Sequence, residues 1–190
     1  MDRINAILSH PLFTDSLRHI EIAERDREFC KHDLEHFLAV ARIANILFYG
    51  ELYDTKNHGL LKEQSEIQST SNIDFTDTND DFDDENRDNK EIIYAAALLH
   101  DTGRWKQYDD GTPHEEESAR IAELILPECG FNDSEIKEIL ELILTHREYE
   151  SESFNLAPLL YRADKLSRLC FVCSAKEKCN WEVKNETLRY

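Results

Sequence analysis

Glycine and proline are scarce. The chain has five Gly and four Pro in 190 residues, where ordinary usage of roughly 12% for the pair would supply about 23. That excludes a sandwich or barrel with a turn every ten residues, and also collagen-like or Gly/Pro-rich disordered chains. Positive charge is short as well: 22 Lys and Arg stand against 40 Asp and Glu, a net charge of −18. Such a surface repels phosphate backbones and excludes an extended nucleic-acid partner. No run approaches 18 consecutive apolar residues, so neither a helical membrane span nor a membrane partner is expected. The opening Met1-Asp2-Arg3-Ile4-Asn5 lacks the charged-then-apolar pattern of a secretory signal, and a cytoplasmic location follows as the expectation. In a reducing compartment the five Cys read as thiols or metal ligands rather than disulfides. What is present is 41% hydrophobic residues over one domain's length. That is enough for a core without covalent staples. The expectation is a single all-α domain over residues 1–190.

Helical periodicity fills most of the chain. Ile4, Ile7 and Leu8, then Leu17, Ile20 and Ala23, mark two helices with Pro11 between them. Residues 31–49 are so apolar around their circumference that this helix is expected deep in the domain. The run 91–99 follows, with Ala95-Ala96-Ala97 allowing close packing and Gly103 ending the helix. Thr112-Pro113 opens a helix over roughly 114–126, and Gly130 closes the turn after it. Asp133 or Ser134 is the expected cap of the next. Pro158 starts the last long helix, with Leu159, Leu160, Ala163, Leu166 and Leu169 as its stripe. The sum is a bundle of about six or seven helices. No long heptad repeat marks an oligomerisation face.

Residues 54–90 stand apart. Between Ser71 and Lys90 eight acidic residues face only two basic ones, with few apolar residues to repay ordering. A mobile acidic insertion is expected there. The spacing Asp77-x-Asn79-x-Asp81 imitates a calcium loop, but Phe82 occupies the position that needs Gly.

The chemistry lies in the histidines and a few aspartates. His36 is on the deep helix, His100-Asp101 ends an apolar helix, His114 opens a helix and His146 ends one. Asp164 sits inside an apolar helix. A lone His on an apolar face is usually a satisfied core residue. Several such sites together instead suit a divalent metal, since buried carboxylate and imidazole need something to satisfy them. His32, one helical turn before His36, is a candidate substrate contact or donor behind the ligands. His10, His19 and His58 belong to no constellation and are expected at the surface.

The segments His36-Phe-Leu-Ala-Val40-Ala41, Ala95-Ala-Ala-Leu-Leu-His100-Asp101-Thr-Gly103 and Tyr161-Arg-Ala-Asp164-Lys165-Leu resemble the HD-domain metal-dependent phosphohydrolases, whose pattern is His…His-Asp…Asp. The likeness runs from about residue 28 to 170, the acidic insertion excepted. It implies an HD-domain helical bundle in which His36, His100, Asp101 and Asp164 hold one ion. His114 and His146 match the extra positions of binuclear members, with Asp101 bridging. His146 is followed by Arg147 where some binuclear members have a second His. The implied cofactors are one or two divalent ions: Fe, Mn, Zn, Ni or Co, with Mg also compatible. The implied activity is hydrolysis of a small phosphoester or phosphoanhydride, such as a nucleotide, by a metal-activated hydroxide centred on Asp101. Arg104, three residues past Asp101, is the first choice to bind substrate phosphate, followed by Lys165 beside Asp164, then Lys106 and Arg147. Trp105 and Tyr108 are candidates to line the pocket.

Cys170-x-x-Cys173 and Cys179 lie in a C-terminal tail, 170–190, whose ending resembles that of a subgroup of HD-domain proteins. If the last helix packs beside the deep helix, Cys30 can join these three as a four-thiolate zinc or iron–sulfur site. Cys129 is a bystander. Two alternatives to the phosphohydrolase follow: an HD-fold metal- or redox-sensing binding protein without turnover, motivated by the cysteines, and a di-iron oxygenase of the related helical type. A helical interaction module with coincidental histidines is a third, and it predicts purified protein without stoichiometric metal.

Overall fold

The computed structural model describes residues 1–64, 80–147 and 156–179, apart from the side chains of 51–64, 80–88 and 156–157. The described residues are helical throughout, without strands: α1 (Asp2–Ser9), α2 (Pro11–Ala23), α3 (Leu34–Gln64), α4 (Asp80–Leu99), α5 (Arg104–Asp109), α6 (His114–Glu128), α7 (Asp133–Thr145) and α8 (Leu156–Leu166), then a 3₁₀ turn, Cys170–Val172. No described helix is long and apolar enough to cross a membrane. The seven helices expected from periodicity are all present. The short α5 is additional, because six residues with no buried member leave no apolar stripe to read.

α4 is the hub, packing against α3, α7, α1, α6 and α8. Ala95, Ala96 and Ala97 are fully buried on it, and small side chains are what let several helices approach one axis. Phe37, Val40, Ala41 and Ala44 line the buried side of α3. Arg3 ties α1 to this centre: it pairs with Glu91 of α4 and with Glu135 of α7, at 2.7 Å for the latter, over the Phe131 ring.

Two local expectations are corrected. α7 is capped by Asn132 rather than Asp133 or Ser134. Its side chain accepts from the Ser134 and Glu135 N–H groups, and Glu135 returns the bond in a capping box. The stretch 54–90, expected as a loop, is helical where it is described: α3 runs on to Gln64 and α4 begins at Asp80. The low apolar content argued against a new helix, but lengthening a helix already nucleated adds one hydrogen bond per residue fixed. Residues 65–79, with Asp77 and Asn79 of the calcium-like spacing, lie outside the described residues, as do 180–190 of the expected tail.

Gly130 has φ +83°, the left-handed conformation glycine adopts without strain, and so turns the chain from α6 toward α7. Gly103 serves a different need. A Cβ there would stand 2.5 Å from the Ser118 nitrogen and 2.7 Å from the His114 carbonyl oxygen. Only glycine lets the turn after His100-Asp101 press onto the start of α6. The Gly103 N–H donates to Ser118 Oγ at 2.8 Å and locks that contact. This approach carries His114 to Asp101.

Candidate metal centre

Six residues singled out in the sequence converge. His36, His100, Asp101, His114, His146 and Asp164 are all buried, although three stand at helix ends. Potential ligand atoms fall into overlapping triads within 4.8 Å of one another: His36, His100 and Asp164; Asp101, His114 and His146; and a third of His32, His36 and Asp101. Asp101 is the meeting point. His114 Nε2 lies 3.0 Å from its Oδ1 and His146 Nε2 4.0 Å from the same oxygen, while His100 Nε2 and His32 Nε2 are each 3.5 Å from Oδ2.

The tautomers of the five imidazoles agree. His100 Nδ1–H donates to the Ala97 carbonyl (2.7 Å), and His146 Nδ1–H to that of Ile143 (2.6 Å). His114 Nδ1–H donates to Gln107 Oε1 (2.8 Å), and His32 Nδ1–H to Glu24 Oε1 (2.5 Å). Ser167 Oγ spends its proton on the Asp164 carbonyl, so it accepts from His36 Nδ1–H at 3.1 Å. Each ring therefore keeps its Nε2 lone pair for the centre. This is the pattern of metal-ligating histidines, whose outer nitrogen is held by a second group.

The inner atoms are poorly satisfied by one another. His36 Nε2, His100 Nε2 and Asp101 Oδ1 are buried without a hydrogen-bond partner. The 3.3 Å from His36 Nε2 to Asp164 Oδ1 and the 3.0 Å from His114 Nε2 to Asp101 Oδ1 are contacts without hydrogen-bond direction. His114 and His146 face each other Nε2 to Nε2 at 3.3 Å. Buried polar atoms left this way are costly unless another group completes them. A divalent cation fits: it accepts every one of these lone pairs.

The protonation states suit a cation as well. Burial lowers His32, His36 and His146 and brings His100 down to about 4, so these rings are neutral at neutral pH. Burial alone would raise the Asp101 carboxyl, but the His100, His114 and His32 rings, when protonated, hold it well below the usual carboxylate range, so it ionises before those rings lose their protons. Asp164 is likewise held well below that range, against its burial, by His36, Arg168 and Lys165. Neutral imidazoles and ionised carboxylates are the forms that bind metal.

Of the cations expected around the centre, two are there. Arg104 Nη1 lies 4.0 Å from Asp101 Oδ1, and Lys165 Nζ lies 2.7 Å from Asp164 Oδ2. The other two are engaged elsewhere: Lys106 pairs with Asp110 at 2.8 Å and Arg147 with Glu115 at 3.2 Å. Trp105 packs edge-on to His19 instead of lining the site, and His10 caps α2. The side chain of His58 lies outside the described residues.

Sequence reasoning missed two groups, and gave Tyr108 only as a pocket-lining candidate. Arg168 is half-buried, with Nη2 2.6 Å from Asp164 Oδ1; position four after Asp164 on a helical turn was its available signal. Glu24 is 2% exposed, behind His32, and sat unread in a charged stretch at the end of α2. Its carboxyl, which burial would raise, is brought down to about 2 by its bonds to His32 and Tyr108. Tyr108 enters through its hydroxyl, 2.6 Å from Glu24 Oε1.

The four cysteines offered as a possible second site do not stand together as a ligand group. Cys30, Cys170, Cys173 and Cys179 are thiols, and no cysteine joins a ligand group of three or more among the described residues. Cys170 is buried within the 3₁₀ turn, whereas Cys173 lies in the groove beside Ser167 and His36.

The HD domain family matches this chain over residues 33–169. The chain belongs to the HD domain family. The HD protein is 41% identical over 192 residues to an uncharacterised protein of Clostridium beijerinckii, with the whole of both chains covered. Among solved structures it is similar to one named "predicted HD superfamily hydrolase", from an uncultured Thermotogales bacterium. That match has a TM-score of 0.49 and 21% identity, covering 92% of this chain and 81% of that one.

Proposed function

We propose that this HD-domain protein is a metal-dependent phosphohydrolase acting on a small phosphorylated compound. The observation that carries the reading is the convergence of five histidine Nε2 atoms on Asp101 and Asp164, with every Nδ1 held from outside. Four imidazoles and two carboxylates make a mixed nitrogen–oxygen set suited to Fe, Mn, Zn, Ni or Co. His36, His100, Asp101 and Asp164 would hold one ion, and Asp101, His114 and His146 a second. Ions in these positions supply an acidified water and positive charge for phosphoryl oxygens.

The remaining work belongs to the chain itself. Arg104 stands beside Asp101, and Lys165 and Arg168 beside Asp164, and all three line an open cavity of about 250 Å³ that His32 also borders. Charge-assisted bonds from these groups orient a phosphoryl group and offset charge that builds on it.

Elemental analysis of the purified wild type beside Asp101→Ala tests the reading, followed by phosphate release from phosphomonoesters and nucleoside phosphates. One to two transition metals per wild-type chain, largely lost in the variant together with phosphate release, is the expected result. Protein that neither carries nor rebinds Mn²⁺, Fe²⁺ or Zn²⁺ overturns it. Iron-dependent oxygen consumption without phosphate release would replace it with oxygenase chemistry.

A further inference from the structure

Two arginines beside the metal centre share one anchor. Arg27 Nη1 donates to the Tyr108 hydroxyl oxygen at 3.2 Å, and Arg104 Nε donates to the same oxygen at 3.3 Å. Tyr108 passes its own proton to Glu24 Oε1. Arg27 is fixed a second time, through Nε on the Cys30 carbonyl at 2.8 Å, while Arg104 Nη1 stands 4.0 Å from the buried Asp101 Oδ1. Two like charges on flexible stems would ordinarily separate into solvent. Here a buried carboxylate and a phenol hold them together. Each guanidinium keeps its Nη2 without a hydrogen bond among the described residues.

Both arginines line the cavity of about 250 Å³ that also takes in His32, Lys165 and Arg168. That volume is below the roughly 300–1,000 Å³ of sites for drug-sized ligands, and suits a phosphate tail better than a whole organic molecule. The charge is lopsided. Arg27, Arg104, Lys165 and Arg168 outnumber the buried carboxylates Glu24, Asp101 and Asp164 before any metal adds to them, in a chain of net charge −18. Lys165 and Arg168 pair with Asp164, a proposed metal ligand, and so stand where a first phosphoryl group would be met. A single phosphoryl group at the metal ligands, met by Arg104, Lys165 and Arg168, would leave Arg27 unmatched.

We infer that the Arg27–Arg104 pair, held by Tyr108, binds a second phosphoryl group, so that the substrate is a phosphoanhydride with at least two linked phosphoryl groups. The inference rests on the phosphohydrolase reading for the kind of anion. It deepens that reading by choosing the anhydride over the simple monoester. Guanidinium forks suit the role, since each offers paired N–H donors to phosphate oxygens. Tyr108 is a positioning residue, acting through the two arginines.

Calorimetric titration of the full-length, metal-loaded protein with inorganic diphosphate and with inorganic phosphate tests it. Metal content is checked after each run, and the titrations are repeated on chelator-treated protein. Diphosphate is expected to bind at least about tenfold more tightly than phosphate, the size of one charge-assisted hydrogen-bond set. Arg27→Gln and Tyr108→Phe should bring that ratio toward one, with circular dichroism and melting temperature confirming that both fold. Lys106→Gln, whose amine is spent on Asp110 outside the cavity, should keep the wild-type ratio. Equal affinities in the wild type, or a ratio indifferent to Arg27→Gln in folded protein, overturns the inference. The two readings separate. Monoester hydrolysis without a diphosphate preference removes the clamp and leaves the hydrolase. An Arg27-dependent preference without hydrolysis of any phosphoryl compound keeps the clamp and removes the hydrolase.

Discussion

The Glu24 carboxylate grips His32 twice, accepting the backbone N–H at 2.8 Å on one oxygen and Nδ1–H at 2.5 Å on the other. Both residues are 2% exposed. The grip turns His32 Nε2 toward Asp101 and seats the Tyr108 hydroxyl on the outer face. Glu24→Ala strands two donors on His32 and the Tyr108 hydroxyl. It should cost about 3–5 kcal/mol, the usual loss on breaking a buried charge-assisted pair. Glu24→Gln should cost less, about 1–3 kcal/mol, as one acceptor oxygen survives. Urea denaturation measures both. Metal affinity by competition with a chromogenic chelator should fall roughly 10–100-fold in either variant if His32 is held for the metal, as for other groups behind a ligating histidine. Unchanged affinity would reduce the Glu24–His32 pair to a stabilising element.

Metal-free protein should lose stability as pH falls below neutrality. An unfolded His titrates near 6.5, whereas burial brings His100 down to about 4 and lowers His32, His36 and His146 too. Between those values the unfolded chain binds more protons than the folded one, so stability rises with pH and is fully present above about 6.5. Each such ring contributes a slope of up to about 1.4 kcal/mol per pH unit in that window. Denaturant titrations in chelator between pH 5 and 8 read this directly. A flat profile would show that the rings are not buried neutral.

Gly103→Ala should damage the two metal positions unequally. The added Cβ meets backbone of α6 at 2.5–2.7 Å, which no side-chain rotation can relieve. The start of α6 must back away, at a cost of about 1–3 kcal/mol. His114 moves with it, while His36, His100 and Asp164 lie on other helices. Elemental analysis should find the variant holding one fewer metal than the wild type at equal loading. Loss of all metal, or of none, would mean that Gly103 does not register His114 against Asp101.

Residue type and helical period together made the all-α class, the close packing at Ala95–Ala97 and six metal-ligand candidates legible. Buried His and Asp on apolar helices are conspicuous because apolar surroundings penalise them singly. Glu24 and Arg168 were hidden because they sit among other charges, where the burial of Glu24 and the half-burial of Arg168 leave no mark in the sequence. The four cysteines, a possible site by their spacing, are not brought into one ligand group of three or more among the described residues. Lys106 and Arg147 are close in sequence to Asp101 and His146 but are spent on Asp110 and Glu115.

The sequence by itself determined which side chains can bind a metal and which helices carry them, since both depend on local chemistry and periodicity. Only the tertiary structure decided that Gly103 seats α6 against the His-Asp turn. Only it decided that all five imidazoles share one tautomer, and that Arg27 meets Arg104 on Tyr108. Those facts depend on backbone approach and donor direction between helices distant in sequence, and neither period nor composition encodes them.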